Sequence, residues 1–201
     1  VAAWPPALSA GLAQAASIAW PWGGQPLWWL QLLSLALLAR LALAAPSARR
    51  AAALGWVFST AWLSGTFWWL FISMHTYGGL AAPLAVAAVL GLAAFLGSYY
   101  AVALGCFKAL APARRALAAI IFAGLWLLAE LARGVWWTGF PWGAGGYAHV
   151  DGPLAVLARW GGVYGIGWVA AVLAGILAQL RASDLRRARS GVAVALAVLA
   201  W

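Results

Sequence analysis

Residues 130–153 read ELARGVWWTGFPWGAGGYAHVDGP and join two apolar runs, residues 117–137 and 160–180. The stretch is the most polar part of its surroundings and holds Glu130 and Asp151, two of the three acidic residues in the chain. Each flanking run is close to the ~20 residues needed to cross a ~30 Å hydrocarbon core at about 1.5 Å per residue. Two such runs joined by a polar connection read as a membrane hairpin of helices. Working outward, the pattern repeats. Spans are expected at residues 2–20, 27–45, 51–71, 83–104, 117–137 and 160–180, and a seventh begins at 191–201 and is incomplete.

Composition agrees. The 201 residues are 67% hydrophobic and 7% charged, where a soluble domain is roughly a quarter charged. Lipid offers no partner to a backbone N–H or C=O, so the expected fold is an all-α membrane protein, a polytopic bundle of about six complete transmembrane helices plus the start of a seventh. The short alternating segments of a membrane β-barrel are missing from the sequence. A single cysteine, Cys106, excludes an internal disulfide and a multi-thiolate metal site. No cofactor and no metal are expected.

A net charge of +9 suggests nucleic acid in a soluble chain, but here the basic residues sit in short loops between spans. Arg49, Arg50, Lys108, Arg114, Arg115, Arg181, Arg186, Arg187 and Arg189 fall in alternate loops, which the positive-inside rule places in the cytoplasm. Nucleic acid is therefore not an expected partner; the lipid bilayer is. Arg40 is close enough to its cytoplasmic end to snorkel, and Arg133 and Arg159 lie toward the opposite face. Ten of the sixteen tryptophans, Trp136, Trp137, Trp142 and Trp160 among them, cluster at that outer face. An interfacial belt accounts for them, and their excess on one side also fits a lipid-handling surface.

Several residues in the central stretch carry chemistry. Glu130 and Arg133 share one helical face at i and i+3, so an ion pair is geometrically natural; a charged group inside a span usually turns inward and finds a partner. Arg133 either locks this helix to a neighbour, binds a lipid phosphate, or fixes the following loop. Thr138, Gly139, Phe140, Pro141 and Trp142 form a TGFPW segment in which Gly139 frees the backbone, Pro141 stops the helix, and Phe140 and Trp142 sit at headgroup depth. Asp151, Gly152 and Pro153 suggest a turn held by the Asp151 side chain. His75 and His149 read as interfacial hydrogen-bonding groups and Cys106 as a small apolar filler. Gly161 and Gly165, at small-xxx-small spacing, suggest close helix packing.

ELARG at 130–134, TGFPW at 138–142, Gly146 and Tyr147, and DGP at 151–153 together resemble the membrane-domain signature of the bacterial apolipoprotein N-acyltransferases. The run GTFWWLFISMHTYGG at 65–79 is similar to the segment of that family around its second outer loop. The resemblance implies a multi-pass protein of the bacterial inner membrane, with basic loops cytoplasmic and the TGFPW loop periplasmic. It implies transfer of an acyl chain from a membrane phospholipid donor to the N-terminal cysteine amine of a diacylated lipoprotein acceptor. In the family the chemistry belongs to a nitrilase-like domain following the spans, with a Glu base, a Lys and a Cys nucleophile.

No position of this sequence takes over a member of that triad. The chain opens at Val1 and stops at Trp201 within an apolar run, so it is expected to be a membrane fragment, inactive alone, with the carbon-nitrogen hydrolase-like domain after residue 201. Substrate- or lipid-binding candidates are Glu130, Arg133, Thr138, Gly139, Phe140, Pro141, Trp142, Tyr147 and Asp151. The alternatives are a polytopic transporter, a non-catalytic membrane scaffold, or a catalytically empty remnant.

Overall fold

The computed structural model describes residues 3–181 and Asp184. The expected start of a seventh span, and Arg186, Arg187 and Arg189, lie outside the described residues. Among the described residues seven α-helices follow one another: α1 Trp4–Ile18, α2 Trp28–Ala44, α3 Ala48–Thr66, α4 Trp68–Ile72, α5 Ala82–Leu110, α6 Arg115–Val135 and α7 Ala158–Leu177. No strand occurs among the described residues. Local chemistry sets the starts: prolines occupy the first turn of α1 and of α5, where a missing N–H is harmless, and Ser47 caps α3 by accepting from the Arg50 amide at 3.2 Å.

The segments Ala82–Leu110, Arg115–Thr138 and Ala155–Leu177 are long and apolar enough to cross a membrane. The chain is an all-α membrane protein. α1 and α2 have 15 and 17 residues and fall short of the ~20-residue norm, while α3 carries Arg49 and Arg50 in its first turn. The stretch 51–71, expected as one span, is broken at Phe67, a buried residue at φ −97° and ψ 13° whose ring packs edge-on against Phe140 at 4.9 Å. The chain turns there into α4 and a π-helical turn, Ser73–Tyr77. α5 continues a turn and a half beyond the expected end at Leu104.

Six helices close a ring in the order α1, α3, α5, α6, α7, α2, with α2 also touching α3 and α5. The most extensive interface joins α3 with α5. There Ser59 donates to the Gly55 carbonyl at 2.7 Å and reaches the Gly97 carbonyl at 3.2 Å, and the Trp56 indole donates to the Ala94 carbonyl at 2.9 Å. Such bonds between membrane helices hold small-residue faces in contact. Inside the ring lies an aromatic core: Trp62 stacks on Trp126 at 5.5 Å, and Tyr100 packs against both at 5.2 and 4.8 Å.

Among the described residues the close contact expected of Gly161 and Gly165 is absent, because a Cβ at either would meet open space. Small-residue packing on α7 falls instead on Gly175, against Ala119 of α6, and on Gly167, beside the Glu130 carboxylate. The early glycines serve a bend, since Gly162 has φ +57° inside α7. A sequence spacing cannot tell which face of a helix meets a neighbour.

Candidate functional site

The polar stretch folds back onto the bundle at the end where α6 stops. After Val135 the chain makes a single 3-10 turn, Trp136–Thr138, in which Trp137 and Thr138 both take positive φ, 54° and 74°. Non-glycine residues rarely adopt this conformation, and two in succession must be held by their surroundings. Gly139 follows at φ +73°, and a Cβ there would run into the Gly134 carbonyl. The reversal brings the loop against the last turn of α6.

Arg133 is the clasp. It is fully buried, and its Nη1 donates to the carbonyls of Phe140 at 2.6 Å and Trp142 at 2.8 Å while its Nε donates to the Tyr100 hydroxyl at 3.1 Å. Its own carbonyl accepts from the Phe140 amide at 2.8 Å. Helix end and loop are thus bonded in both directions. Beneath the guanidinium lies the Trp62 ring, 5.9 Å from its centre, so the charge rests on the aromatic core.

Glu130, one turn earlier and also fully buried, holds a second point. Its Oε1 accepts from the Gly145 amide at 2.8 Å. The ion pair expected between Glu130 and Arg133 does not form; the one ion pair among the described residues is Arg115 with Asp184 at 2.6 Å. Each charged group is turned to backbone dipoles of the loop, Glu130 through Oε1 and Arg133 through Nη1, while among the described residues Glu130 Oε2 and Arg133 Nη2 are buried without a hydrogen-bond partner.

A third tie comes from α2. Gln31 donates to the Gly145 carbonyl at 2.6 Å, and its Oε1 is 2.5 Å from the His149 Nε2. Since the amide oxygen only accepts, His149 carries its proton on Nε2. His149 is a hydrogen-bonding group as expected but fully buried in the protein, and burial pushes its pKa down from 6.5 to about 4. Gly145 is thereby gripped on both sides of its peptide, and a Cβ on Gly146 would strike the Val163 carbonyl of α7. Gln14 of α1, also fully buried, points its amide toward Gly145.

The clasped loop separates the candidates into two groups. Glu130 and Arg133 are buried beneath it, and Gly139 and Phe140 are half-buried at its neck. Thr138, Pro141, Trp142, Tyr147 and Asp151 are on its exposed side, Trp142 by 60% and Tyr147 by 48%. Trp142 packs on Trp69 of α4 at 5.9 Å, tying this loop to the preceding one. The Asp151 side chain holds no turn: the Gly152 amide is taken by the His149 carbonyl at 2.9 Å, and Pro153, two residues on, has no N–H to give. Gln31, Gly145 and Tyr100 were not among the sequence candidates. A lone Gln in an apolar span is the signal that marks Gln31.

This arrangement defines a helical membrane domain that carries a rigid, aromatic-surfaced loop at one end. The chain belongs to the apolipoprotein N-acyltransferase family, since the sequence model of the apolipoprotein N-acyltransferase N-terminal domain matches residues 10–176. It is 69% identical over 186 residues to the apolipoprotein N-acyltransferase of Verminephrobacter eiseniae, covering 90% of this chain and 35% of that protein. To that of Ralstonia nicotianae it is 45% identical over 177 residues, covering 87% of this chain and 34% of the relative. A more distant one, from Pseudomonas putida, is 38% identical over 177 residues, 87% of this chain and 35% of that protein. The chain therefore spans about a third of the length of these relatives.

Proposed function

We propose that this chain is the membrane part of an enzyme that transfers an acyl chain from a membrane phospholipid to the N-terminal cysteine amine of a diacylated lipoprotein. It sits in the bacterial inner membrane with the clasped loop on the periplasmic face. The family assignment supports the activity class over a carrier or scaffold. In this reading α1, α2 and α3 complete their crossings with the help of interfacial tryptophans, and acyl transfer proceeds through a thioester on a nitrilase-like domain contributed by the remaining length of the protein. A base-activated thiolate divides one difficult transfer into two easier steps.

The role of the present residues is positioning. The observation that carries this is the two-carbonyl grip of buried Arg133 on Phe140 and Trp142, which leaves the Trp142 ring 60% exposed on a fixed backbone. Trp142, Tyr147 and Asp151 then form a platform at headgroup depth on which the catalytic domain rests and along which lipid substrates enter. Arg133 acts through the loop, since its burial keeps it from lipid phosphate. In the complete enzyme, Trp142→Ala or Asp151→Ala should lower the transfer rate more than protein abundance. Equal losses of rate and abundance would make the loop a folding element only.

A further inference from the structure

The opposite end of the bundle carries a feature that the acyl-transfer reading does not use. The C-terminal ends of α2 and α7 and the N-terminal end of α6 surround a cleft of about 570 Å³. Arg40 of α2, Arg115 of α6 and Arg181 just beyond α7 line it, together with Gln179. Three separate elements therefore bring a guanidinium to one recess. Its remaining walls include Leu43 and Leu180, so apolar side chains stand beside the guanidinium groups.

Two details distinguish this recess from the general positive charge at that end. Arg49, equally exposed on α3, does not line it. The scaffold around it is also bonded in place: Gln179 donates to the Arg115 carbonyl at 2.9 Å, and Lys108 donates to the Leu43 carbonyl at 2.6 Å. Asp184 stands at the edge, accepting from the Arg115 guanidinium at 2.6 Å and from the Arg181 amide at 2.9 Å. The Asp184 carboxylate thus engages Arg115 and Arg181, while Arg40 donates to the Ala178 carbonyl at 3.5 Å, so three guanidinium charges against one carboxylate leave positive charge in the cleft.

We propose that this cleft binds the headgroup of an anionic glycerophospholipid, the arginines taking the phosphate and the leucines the start of an acyl chain. Guanidinium forks match phosphate oxygens, and basic recesses between membrane helices favour anionic lipid. The site is distinct from any donor-lipid site near the clasped loop, and it rests on membrane insertion alone, not on the acyl-transfer reading.

The test is native mass spectrometry of the full-length protein released from detergent, with phosphatidylglycerol as probe and phosphatidylethanolamine as zwitterionic control. Phosphatidylglycerol should be retained in preference. Arg40→Gln and Arg115→Gln should each weaken retention about fivefold, Arg40→Lys should keep only part of it because the ammonium retains the charge and loses the fork, and Asp184→Asn should strengthen it. Arg49→Gln, which removes the same charge at the same end, should leave retention unchanged; thermal melts in detergent check that each variant is folded. Equal retention of the two lipids, or equal loss in Arg49→Gln and Arg40→Gln, would overturn the site. Displacement of the lipid by inorganic phosphate or glycerol 3-phosphate at comparable concentration would overturn the lipid as the ligand.

Discussion

Glu130 and Arg133 lie one turn apart on the same buried face of α6 and do not bond to each other. Glu130 takes the Gly145 amide at 2.8 Å, and Arg133 gives to the Phe140 and Trp142 carbonyls at 2.6 and 2.8 Å. An acid and a base thus hold two ends of one loop. Opposite charges in a low-dielectric interior usually meet directly, but here the loop backbone supplies dipoles of both signs, an amide to Glu130 Oε1 and two carbonyls to Arg133 Nη1.

Arg133→Gln should release the neck of the loop while the helices remain. Hydrogen bonds to a charged group contribute roughly 1.5–3 kcal/mol each, so local stability around Phe140 should fall by about 3 kcal/mol or more. Hydrogen exchange of residues 138–143 in detergent reads this directly. Arg133→Lys should recover only part, because one ammonium cannot present a planar fork to both carbonyls and Tyr100. Unchanged exchange at Phe140 would exclude the clasp.

Glycine substitutions should sort by geometry. Gly139→Ala forces a Cβ into the Gly134 carbonyl at φ +73°, a conflict costing on the order of 1–3 kcal/mol. Gly161→Ala, where a Cβ meets open space within α7, should be neutral or should raise stability by up to ~1 kcal/mol. Thermal unfolding of the two variants in one detergent compares them, and similar losses would contradict the loop conformation.

Gln31→Leu should be more damaging than its position in an apolar helix suggests. It strands the Gly145 carbonyl and the His149 N–H, which Gln31 satisfies at 2.6 and 2.5 Å. Each buried group left without a partner costs about 1–3 kcal/mol. Leu32→Ala, in a half-buried neighbour on the same helix, serves as the comparison, and the Gln31 variant should unfold at the lower temperature.

Stability should also fall on mild acidification. His149 titrates near 6.5 when unfolded and at about 4 in the fold, so between these values the unfolded chain binds more protons. The stabilisation is complete above about pH 6.5 and declines as pH drops toward 4. His149→Gln should flatten this part of the stability profile relative to the parent protein. An unchanged pH slope would mean that the imidazole is accessible to water in the folded state.

Much of this was legible from residue order. Long apolar runs, two prolines opening helices and a charge content of 7% require a helical membrane protein, because only internal backbone pairing survives in lipid. The TGFPW and DGP elements pointed to the family. The turn expected to be held by the Asp151 side chain was misread, since Pro153 has no N–H to give and the Gly152 amide goes to the His149 carbonyl. Other features depend on residues far apart in the chain: the Gln31 contacts with Gly145 and His149 join positions 114 and 118 residues apart, and no local pattern announces them.

What the sequence by itself determined is the solvent of each segment, as hydrophobicity and helix-forming capacity are properties of local runs. The tertiary structure alone decided which polar groups meet. The ring of six helices placed Arg133 under two carbonyls and Glu130 beside an amide, and it turned Gly175, not Gly161, toward a neighbouring helix. In a buried layer a charge goes to whichever partner the packing brings within hydrogen-bond reach, and that partner is set by helix order and rotation, which spacing along a single helix does not encode.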